Sequence, residues 1–395
     1  MGTSRVAKIA ETGPKAHCLK VVHLTTVHSA RDPRIFHKEC RSLTRAGFDV
    51  TVIGPYASDE NVEGVQIRSI AKDSSRLARM TRTVWRAYQM ARKENADVYH
   101  FHDPELFPAG LLLRSQGKLV IYDVHEDLPN DILSKRYLPE WSRKLISWVV
   151  TGIEEKASRR FSALVTVTPA IAGRLNRINP RTIVVHNYPY PEELIRASAA
   201  ESWEDRRQSV AYVGGITVQR AIREMVSAMA LLPNSLSATL ELAGPENPEE
   251  VDSEALRQDP GWSRVRHHGF LDQPSTFELL HRVRAGLVLF HPEPCHFESM
   301  PQKIFEYMGA GLPVIASDFP LWRRIIGDAG CGIFVDPKNP NEIANAIQYT
   351  LTHPREAEEM GLRGRAAVAE RFNWNSEASK LVGLYRQFES EICAA

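Results

Sequence analysis

The chain has 395 residues with a formal net charge of +1, 43% hydrophobic and 25% charged residues, which fits about two or three globular domains. That balance excludes bulk nucleic-acid binding, which rests on a basic excess, and no apolar run is long enough for a membrane-spanning helix. The five cysteines (Cys18, Cys40, Cys295, Cys331 and Cys393) are scattered without a Cys-x-x-Cys pair, so reduced thiols in the cytoplasm are expected rather than a disulfide framework or a zinc site.

Residues 1–18 lack the apolar core of a signal peptide and are expected to be a disordered lead. Alternating apolar patterns then predict strands over 19–25, 49–53, 65–70, 97–101, 119–124, 163–167 and 182–185, with helices over 35–46 and 77–94 between them. After Tyr188-Pro189-Tyr190-Pro191 the periodicity fades, and 191–208 reads as a linker. The alternation restarts with strands over 210–213, 238–242, 265–267, 285–290, 314–316 and 332–335. Strands alternating with helices give an α/β chain of two Rossmann-like domains, 19–190 and 209–373, with a cleft between them. Ligands bind at the carboxyl ends of strands in such sheets.

The most informative stretch runs from Glu298 to Ser317. Ser299 and Gln302 have the spacing of a capping box, and Pro301 suits a first helical turn. Pro301, Ile304, Phe305 and Met308 recur at helical spacing, and Gly309 and Gly311 end the helix. A helix start beside Lys303 suits a phosphate or diphosphate. Glu298 and Glu306, eight positions apart, could accept hydrogen bonds from sugar hydroxyls. The alternative is an ordinary capped helix followed by a strand.

Polar clusters close the strands of the first half. The loop His28-Ser29-Ala30-Arg31-Asp32-Pro33-Arg34 contains no glycine, so the dinucleotide fingerprint of a dehydrogenase is absent. It could bind an acceptor or be a solvated turn. His100-Phe101-His102-Asp103 and Asp123-Val124-His125-Glu126 end two further strands, and their His/Asp pairs have the chemistry of Zn2+ or Mn2+ ligands. The basic stretches 76–92 and 143–160 interleave cations with Leu, Met, Trp and Ile. They could lie on an anionic membrane surface or form the outer faces of packed helices.

In the second half, Val213-Gly214-Gly215 is a strand end with a glycine turn, followed by Arg220. Glycine admits close backbone approach, and arginine can neutralise phosphate. Gly244 and Gly269 end later strands, where a nucleobase could sit. With Glu298 and Glu306, the following Gly-Leu-Pro-Val-Ile strand, Arg31 to Glu39, His100 to Glu105, Asp123 to Asp127 and His186 to Pro189, the chain resembles the retaining family-4 glycosyltransferases of the GT-B fold. The likeness is to a bacterial branch making capsule, exopolysaccharide or lipopolysaccharide.

The resemblance implies a sugar transferred from a nucleotide-diphosphate sugar, UDP first and GDP-mannose next, to an acceptor hydroxyl. It gives Glu298 the donor-sugar hydroxyls, Glu306 the ribose, and Arg220 and Lys303 the leaving diphosphate. His102 would meet the donor from the opposite domain. Gly214, Gly215, Ser299, Met300, Pro301, Gly244 and Gly269 would border the donor. His28, Arg31, Asp32, Arg34, Asp103, His125 and Glu126 would lie on the acceptor side. No metal or other cofactor is required, because protein cations replace it. A last helix, 374–395, would return to the N-terminal domain. The acceptor would be a saccharide, lipid-linked saccharide or small molecule, and the enzyme cytoplasmic, with room for peripheral contact with the inner membrane. Many relatives carry arginine where Gly215 stands, so Arg220, Arg31 or Arg34 would have to compensate. A GT-B-fold nucleotide-sugar 2-epimerase and a catalytically silent nucleotide-binding subunit are the alternatives.

Overall fold

A computed structural model describes residues 19–73, 75–134, 139–197, 202–248 and 250–394. The expected lead, 1–18, and Cys18 lie outside them, as does part of the expected linker. The chain forms two compact units: Met1–Asp123 with Arg159–Leu164 and Lys380–Ala395, and Val124–Ser158 with Val165–Ser379.

The first sheet has eight strands: β1 (Lys20–Leu24), β2 (Asp49–Pro55), β3 (Glu60–Val62), β4 (Val65–Ile70), β5 (Val98–Phe101), β6 (Leu119–Val124), β7 (Ala163–Thr166) and β8 (Thr182–Val184). Their order is β3-β4-β2-β1-β5-β6-β7-β8. The ladder from β4 through β2, β1 and β5 to β6 is parallel, and β3 pairs antiparallel with β4. The short β3 escapes the sequence pattern because Glu-Asn-Val carries almost no apolar signal.

The second sheet has six strands: β9 (Ser209–Val213), β10 (Thr239–Ala243), β11 (Val265–Gly269), β12 (Ala285–Val288), β13 (Val314–Ser317) and β14 (Gly332–Val335). Their order is β11-β10-β9-β12-β13-β14, and every ladder is parallel. Along β9, Val210 and Tyr212 enter one apolar cluster and Ala211 the other. Both faces are therefore covered, which is why these strands read as near-continuous apolar runs. Both sheets have the Rossmann-like pattern expected.

The stretch expected as a linker is packed structure over its first part. Pro191–Ala197 is helical. Leu194 is fully buried, and its carbonyl accepts a 3.0 Å hydrogen bond from His281 Nε2. Tyr188 packs edge-on against Phe305. The prolines broke the periodicity, but Tyr188, Tyr190 and Leu194 around them are buried. The helix Trp374–Ala394 belongs to the second unit up to Ser379 and to the first unit from Lys380. In the first unit Tyr385 is buried, with its hydroxyl 2.9 Å from His100 Nδ1.

Candidate active site

In the second unit, the end of β9 and the first turn of the Gln302–Gly309 helix hold a pair of cations. Gly214 follows β9 at φ +140, a conformation that L side chains rarely adopt. A Cβ on Gly214 would stand 2.6 Å from Lys303 Nζ and 3.4 Å from Arg220 Nη1. Lys303 is buried, and its ammonium has no hydrogen-bond partner among the described residues. It rests 4.0 Å from the centre of the Tyr212 ring and 5.7 Å from that of Phe290. Burial, and then the nearby Arg220 charge, push its pKa well below the ordinary lysine value, against a weaker pull from Glu306.

Arg220 is half-buried, 5.4 Å from the Phe290 ring centre, and donates to the Gly215 carbonyl at 3.4 Å. The next residue, Ala221, takes the left-handed conformation at φ 52 and opens the helix Ile222–Ala230. That reversal keeps Arg220 beside the glycine turn. A Cβ on Gly215 would lie 3.2 Å from Arg220 Nη1, so the Arg220 guanidinium occupies the space beside the glycine.

The helix start differs from its expected cap. Pro301 is the N-cap residue, with φ −61 and ψ 130, and no side chain caps the helix. The Ser299 hydroxyl instead donates to the His296 carbonyl, while the Ser299 carbonyl accepts from Trp322 Nε1. Gln302 Nε2 donates to Glu306 Oε1 at 2.7 Å rather than reaching back to Ser299. The capping-box spacing was therefore misleading, because Pro301 has the extended backbone that ends the preceding loop. The consequence is a helix N-terminus without an internal side-chain acceptor, close to two cations. Met300 and Glu306 are half-buried, and Glu298 is exposed just after the short turn Pro294–Phe297.

Gly244 has a packing explanation, and Gly269 a conformational one, its φ of +67 being left-handed with nothing near a Cβ. A Cβ on Gly244 would fall 1.9 Å from the Gly214 carbonyl oxygen, and Gly244 N–H donates to the Gly269 carbonyl at 2.7 Å. Gly244 is thus required for β10 to approach the turn that carries Gly214.

In the first unit the predicted residues divide into two groups. Asp103 is buried and organises the loop after β1. Its Oδ2 accepts from Thr25 Oγ1 at 2.8 Å and from Thr26 N–H at 2.6 Å. His28 lies 3.6 Å from Asp103 and 3.5 Å from Asp32. Burial alone would raise the Asp32 pKa; hydrogen bonds from His28 and from the Ile35 and Arg34 N–H groups outweigh it and hold the carboxyl well below the usual range. Arg31 pairs with Glu60 at 2.8 Å and lies near the Tyr56 ring. His125, half-buried, and Glu126, exposed, follow β6 and belong to the second unit.

The second group is a buried polar cluster. Arg34 forks onto Asp123 at 3.1 and 3.2 Å, and its Nε lies 3.0 Å from Glu39 Oε1. His102 Nε2 meets His23 Nδ1 at 3.0 Å, and its Nδ1 is 3.3 Å from Asp123. Glu39 Oε2 faces nitrogens of His23, His100 and His102 at 3.8, 3.9 and 4.0 Å. Burial, and then Asp123, push Glu39 well above the carboxylate range against the opposing Arg34 charge. Burial likewise lowers His23 and His100. The raised Glu39 and the lowered His23 and His100 all favour their uncharged forms beside the Arg34–Asp123 pair, the direction that burial demands. His23, Glu39, His100 and His102 have spacing that could hold a metal ion.

Arg31 is thus paired with Glu60 and Arg34 with Asp123 and Glu39, all carboxylates of their own unit. The His102 side chain has no exposed surface, and both its ring nitrogens face partners. Direct contact with a ligand requires this cluster to rearrange. As individual site residues, sequence reasoning passed over Tyr212 and Phe290, which wall the Lys303 ammonium, and His23, Glu39 and Tyr385. The signal for Glu39 was a charged residue inside an apolar helical stretch; for Tyr212 it was strand alternation toward the glycine turn.

Comparison with known proteins follows the two units. A family model described as Glycosyltransferase Family 4 matches residues 33–188, and one described as Glycosyl transferases group 1 matches 207–353. The chain is 24% identical, over 87% of its length and 91% of the relative's, to an uncharacterized glycosyltransferase of Methanocaldococcus jannaschii. The structure of sucrose-phosphate synthase from Thermosynechococcus elongatus superposes with a TM-score of 0.74 at 20% identity, covering 94% of this chain and 100% of that one. Anabaena HepE in complex with UDP and glucose superposes with a TM-score of 0.69 at 15% identity, covering 93% and 100%.

Proposed function

Because this chain belongs to the family-4 glycosyltransferases and has their GT-B fold, we propose that it moves a sugar from a UDP-sugar to an acceptor hydroxyl with retention of anomeric configuration. The carrying observation is the buried Lys303 ammonium without a hydrogen-bond partner among the described residues, beside Arg220 and the Gly214 turn. A buried cation in that state calls for an anion. A diphosphate supplies the charge, and the uncapped start of the Gln302–Gly309 helix supplies N–H groups for its oxygens. The Anabaena neighbour, solved with UDP and glucose, favours UDP; GDP-mannose is the next donor.

In the proposed reaction the bond from the anomeric carbon to the diphosphate oxygen breaks and the acceptor oxygen takes its place. The acceptor proton goes to the departing diphosphate, so no protein nucleophile is needed. Arg220, Lys303 and the helix start stabilise the growing negative charge. These groups supply the positive charge that a metal ion would otherwise provide, and transfer is expected to survive EDTA. Exposed Glu298 is assigned to the donor-sugar hydroxyls and Glu306 to the ribose. His102 is assigned to the donor sugar after rearrangement of its cluster. The acceptor class is a saccharide or lipid-linked saccharide of a surface polysaccharide, and the setting is the cytoplasm.

The test is a panel of nucleotide sugars screened by thermal stabilisation, followed by product analysis with and without saccharide acceptors. Stabilisation by UDP and a UDP-sugar, with acceptor-dependent transfer, is the expected result. A ligand at 100 times its dissociation constant adds about 2.7 kcal/mol. An epimerised sugar formed without acceptor would replace transfer with 2-epimerisation, and nucleotide binding without any product would leave a silent subunit.

A further inference from the structure

The Glu306 carboxyl, assigned above to the ribose, is held in place by a neighbour of its own helix. It stands one turn after Gln302 and on the same face of the Gln302–Gly309 helix. Gln302 Nε2 donates to Glu306 Oε1 at 2.7 Å, and Gln302 Oε1 accepts from Asn187 Nδ2 at 3.0 Å. Chemistry sets the direction of this relay. A carboxylate only accepts, so the Gln302 amide turns its nitrogen to Glu306 and its oxygen to Asn187. Hydrogen bonds to a carboxylate are also the short, strong members of their class.

Asn187 is a firm base for the relay, because both its neighbours in the chain are anchored. The His186 N–H donates to Glu377 Oε2 at 2.9 Å, and the His186 ring stacks on Tyr188 with centroids 4.7 Å apart. The buried Tyr188 ring meets Phe305, the residue before Glu306, edge-on at 4.7 Å. The loop after β8 therefore grips this helix twice, by aromatic packing at Phe305 and by the amide pair at Gln302. Neither grip is a cap, since the N-cap residue is Pro301 and no side chain caps the helix. Asn187, Gln302 and Glu306 are all half-buried. A half-buried glutamate loses rotamer freedom when it takes up a ligand; one already held by an amide has lost it beforehand.

We propose that Gln302, braced by Asn187, is the positioning residue for Glu306. It holds the carboxyl in the orientation that accepts from the neighbouring 2′- and 3′-hydroxyls of a ribose, and so makes the site select a ribonucleotide over its deoxy form. The proposal rests on the donor reading above and adds to it the residues that set sugar selectivity in the nucleotide.

The full chain is to be titrated calorimetrically with UDP and with 2′,3′-dideoxy-UDP, which lacks both hydroxyls. The wild type is expected to prefer UDP by about tenfold or more. Gln302→Leu is expected to weaken UDP binding by about three- to tenfold and to leave dideoxy-UDP binding unchanged. Asn187→Ala should give the same pattern with a smaller loss. In a Glu306→Ala background, which should prefer neither nucleotide, Gln302→Leu is expected to have no further effect, because the two residues act as one unit. Equal weakening of both nucleotides by Gln302→Leu, or additive effects of Gln302→Leu and Glu306→Ala, overturns the positioning role and leaves the donor reading intact. So does a Gln302→Leu variant that melts lower yet keeps the full preference for UDP, since the tie would then be structural alone. A wild type that binds both nucleotides equally overturns the ribose contact itself, and one that binds neither overturns the donor reading together with this proposal.

Discussion

Lys303 holds its ammonium 4.0 Å from the centre of the Tyr212 ring, and that aromatic face is a poor substitute for a counter-ion. A cation over a desolvated ring gains about 2 kcal/mol, whereas an ion removed from water loses several kcal/mol. Arg220 nearby adds repulsion. This pair of cations is therefore electrostatically unfavourable by itself, and the proposed diphosphate would relieve it.

Lys303→Met should separate stability from function. Removing a buried, uncompensated charge is expected to leave stability unchanged or to raise it by about 1–4 kcal/mol. The same change should reduce kcat/KM for transfer by about 100-fold or more, the scale of losing one charge-stabilising donor. Thermal denaturation without ligand, beside steady-state kinetics, checks both signs. A variant that is less stable yet fully active would contradict the assignment.

Proton uptake should accompany nucleotide binding. Burial first and Arg220 second hold the Lys303 pKa below its ordinary value of 10.5 in the free protein. A bound diphosphate stabilises the charged form and raises that pKa again. The complex then binds more protons than the free protein between the two pKa values. Affinity for UDP is expected to fall as pH rises through this window. Calorimetry in buffers of differing ionisation enthalpy measures the uptake, which Lys303→Met should remove.

Neighbouring glycines should differ sharply. Gly214→Ala forces a side chain onto φ +140 and places Cβ 2.6 Å from Lys303 Nζ; UDP-induced stabilisation is expected to disappear. Gly215→Ala meets only the mobile end of Arg220, at 3.2 Å, and is expected to change UDP affinity by no more than about fivefold, about 1 kcal/mol. Equal effects at both positions would argue against a close approach at Gly214.

Glu39→Gln should alter the pH dependence of stability rather than stability at one pH. The folded-state pKa of Glu39 is raised, by burial first and then by Asp123. Its stabilising contribution is therefore complete below the unfolded value of 4.5 and is lost as pH rises through the folded value. Glutamine mimics the neutral carboxyl and does not undergo that loss. The melting temperature of Glu39→Gln relative to the wild type is expected to climb with pH above 4.5. A constant difference across the range would mean that Glu39 is ionised in the fold.

The sheet strands were legible because their signal is local. The spans 65–70, 119–124 and 332–335 coincide with β4, β6 and β14, since buried parallel strands announce themselves as short apolar runs. The glycine turn after β9 was legible for a similar reason: Gly214, Gly215 and Arg220 lie within seven residues of one another in the chain, and Lys303 lies on a helix with a strong apolar face. The helix at Pro191–Ala197 was not, because Pro189 and Pro191 hide seven helical positions that only packing explains.

By itself the amino-acid sequence determined two parallel-sheet units, the glycine turn after β9 and the cation-bearing helix after Pro301, all of them patterns set by neighbours along the chain. Only the tertiary structure decided what those charges meet. Arg34 finds Asp123 across 89 positions of sequence, and His23 finds His102 across 79, which places Arg34, expected at an acceptor, and His102, expected at the donor, in one buried cluster. Among the described residues, Lys303 is brought to Gly214 and Arg220 without a carboxylate hydrogen-bonded to it. Charge compensation is a property of three-dimensional neighbourhoods, and it distinguishes the buried ion cluster from the cation pair awaiting an anion.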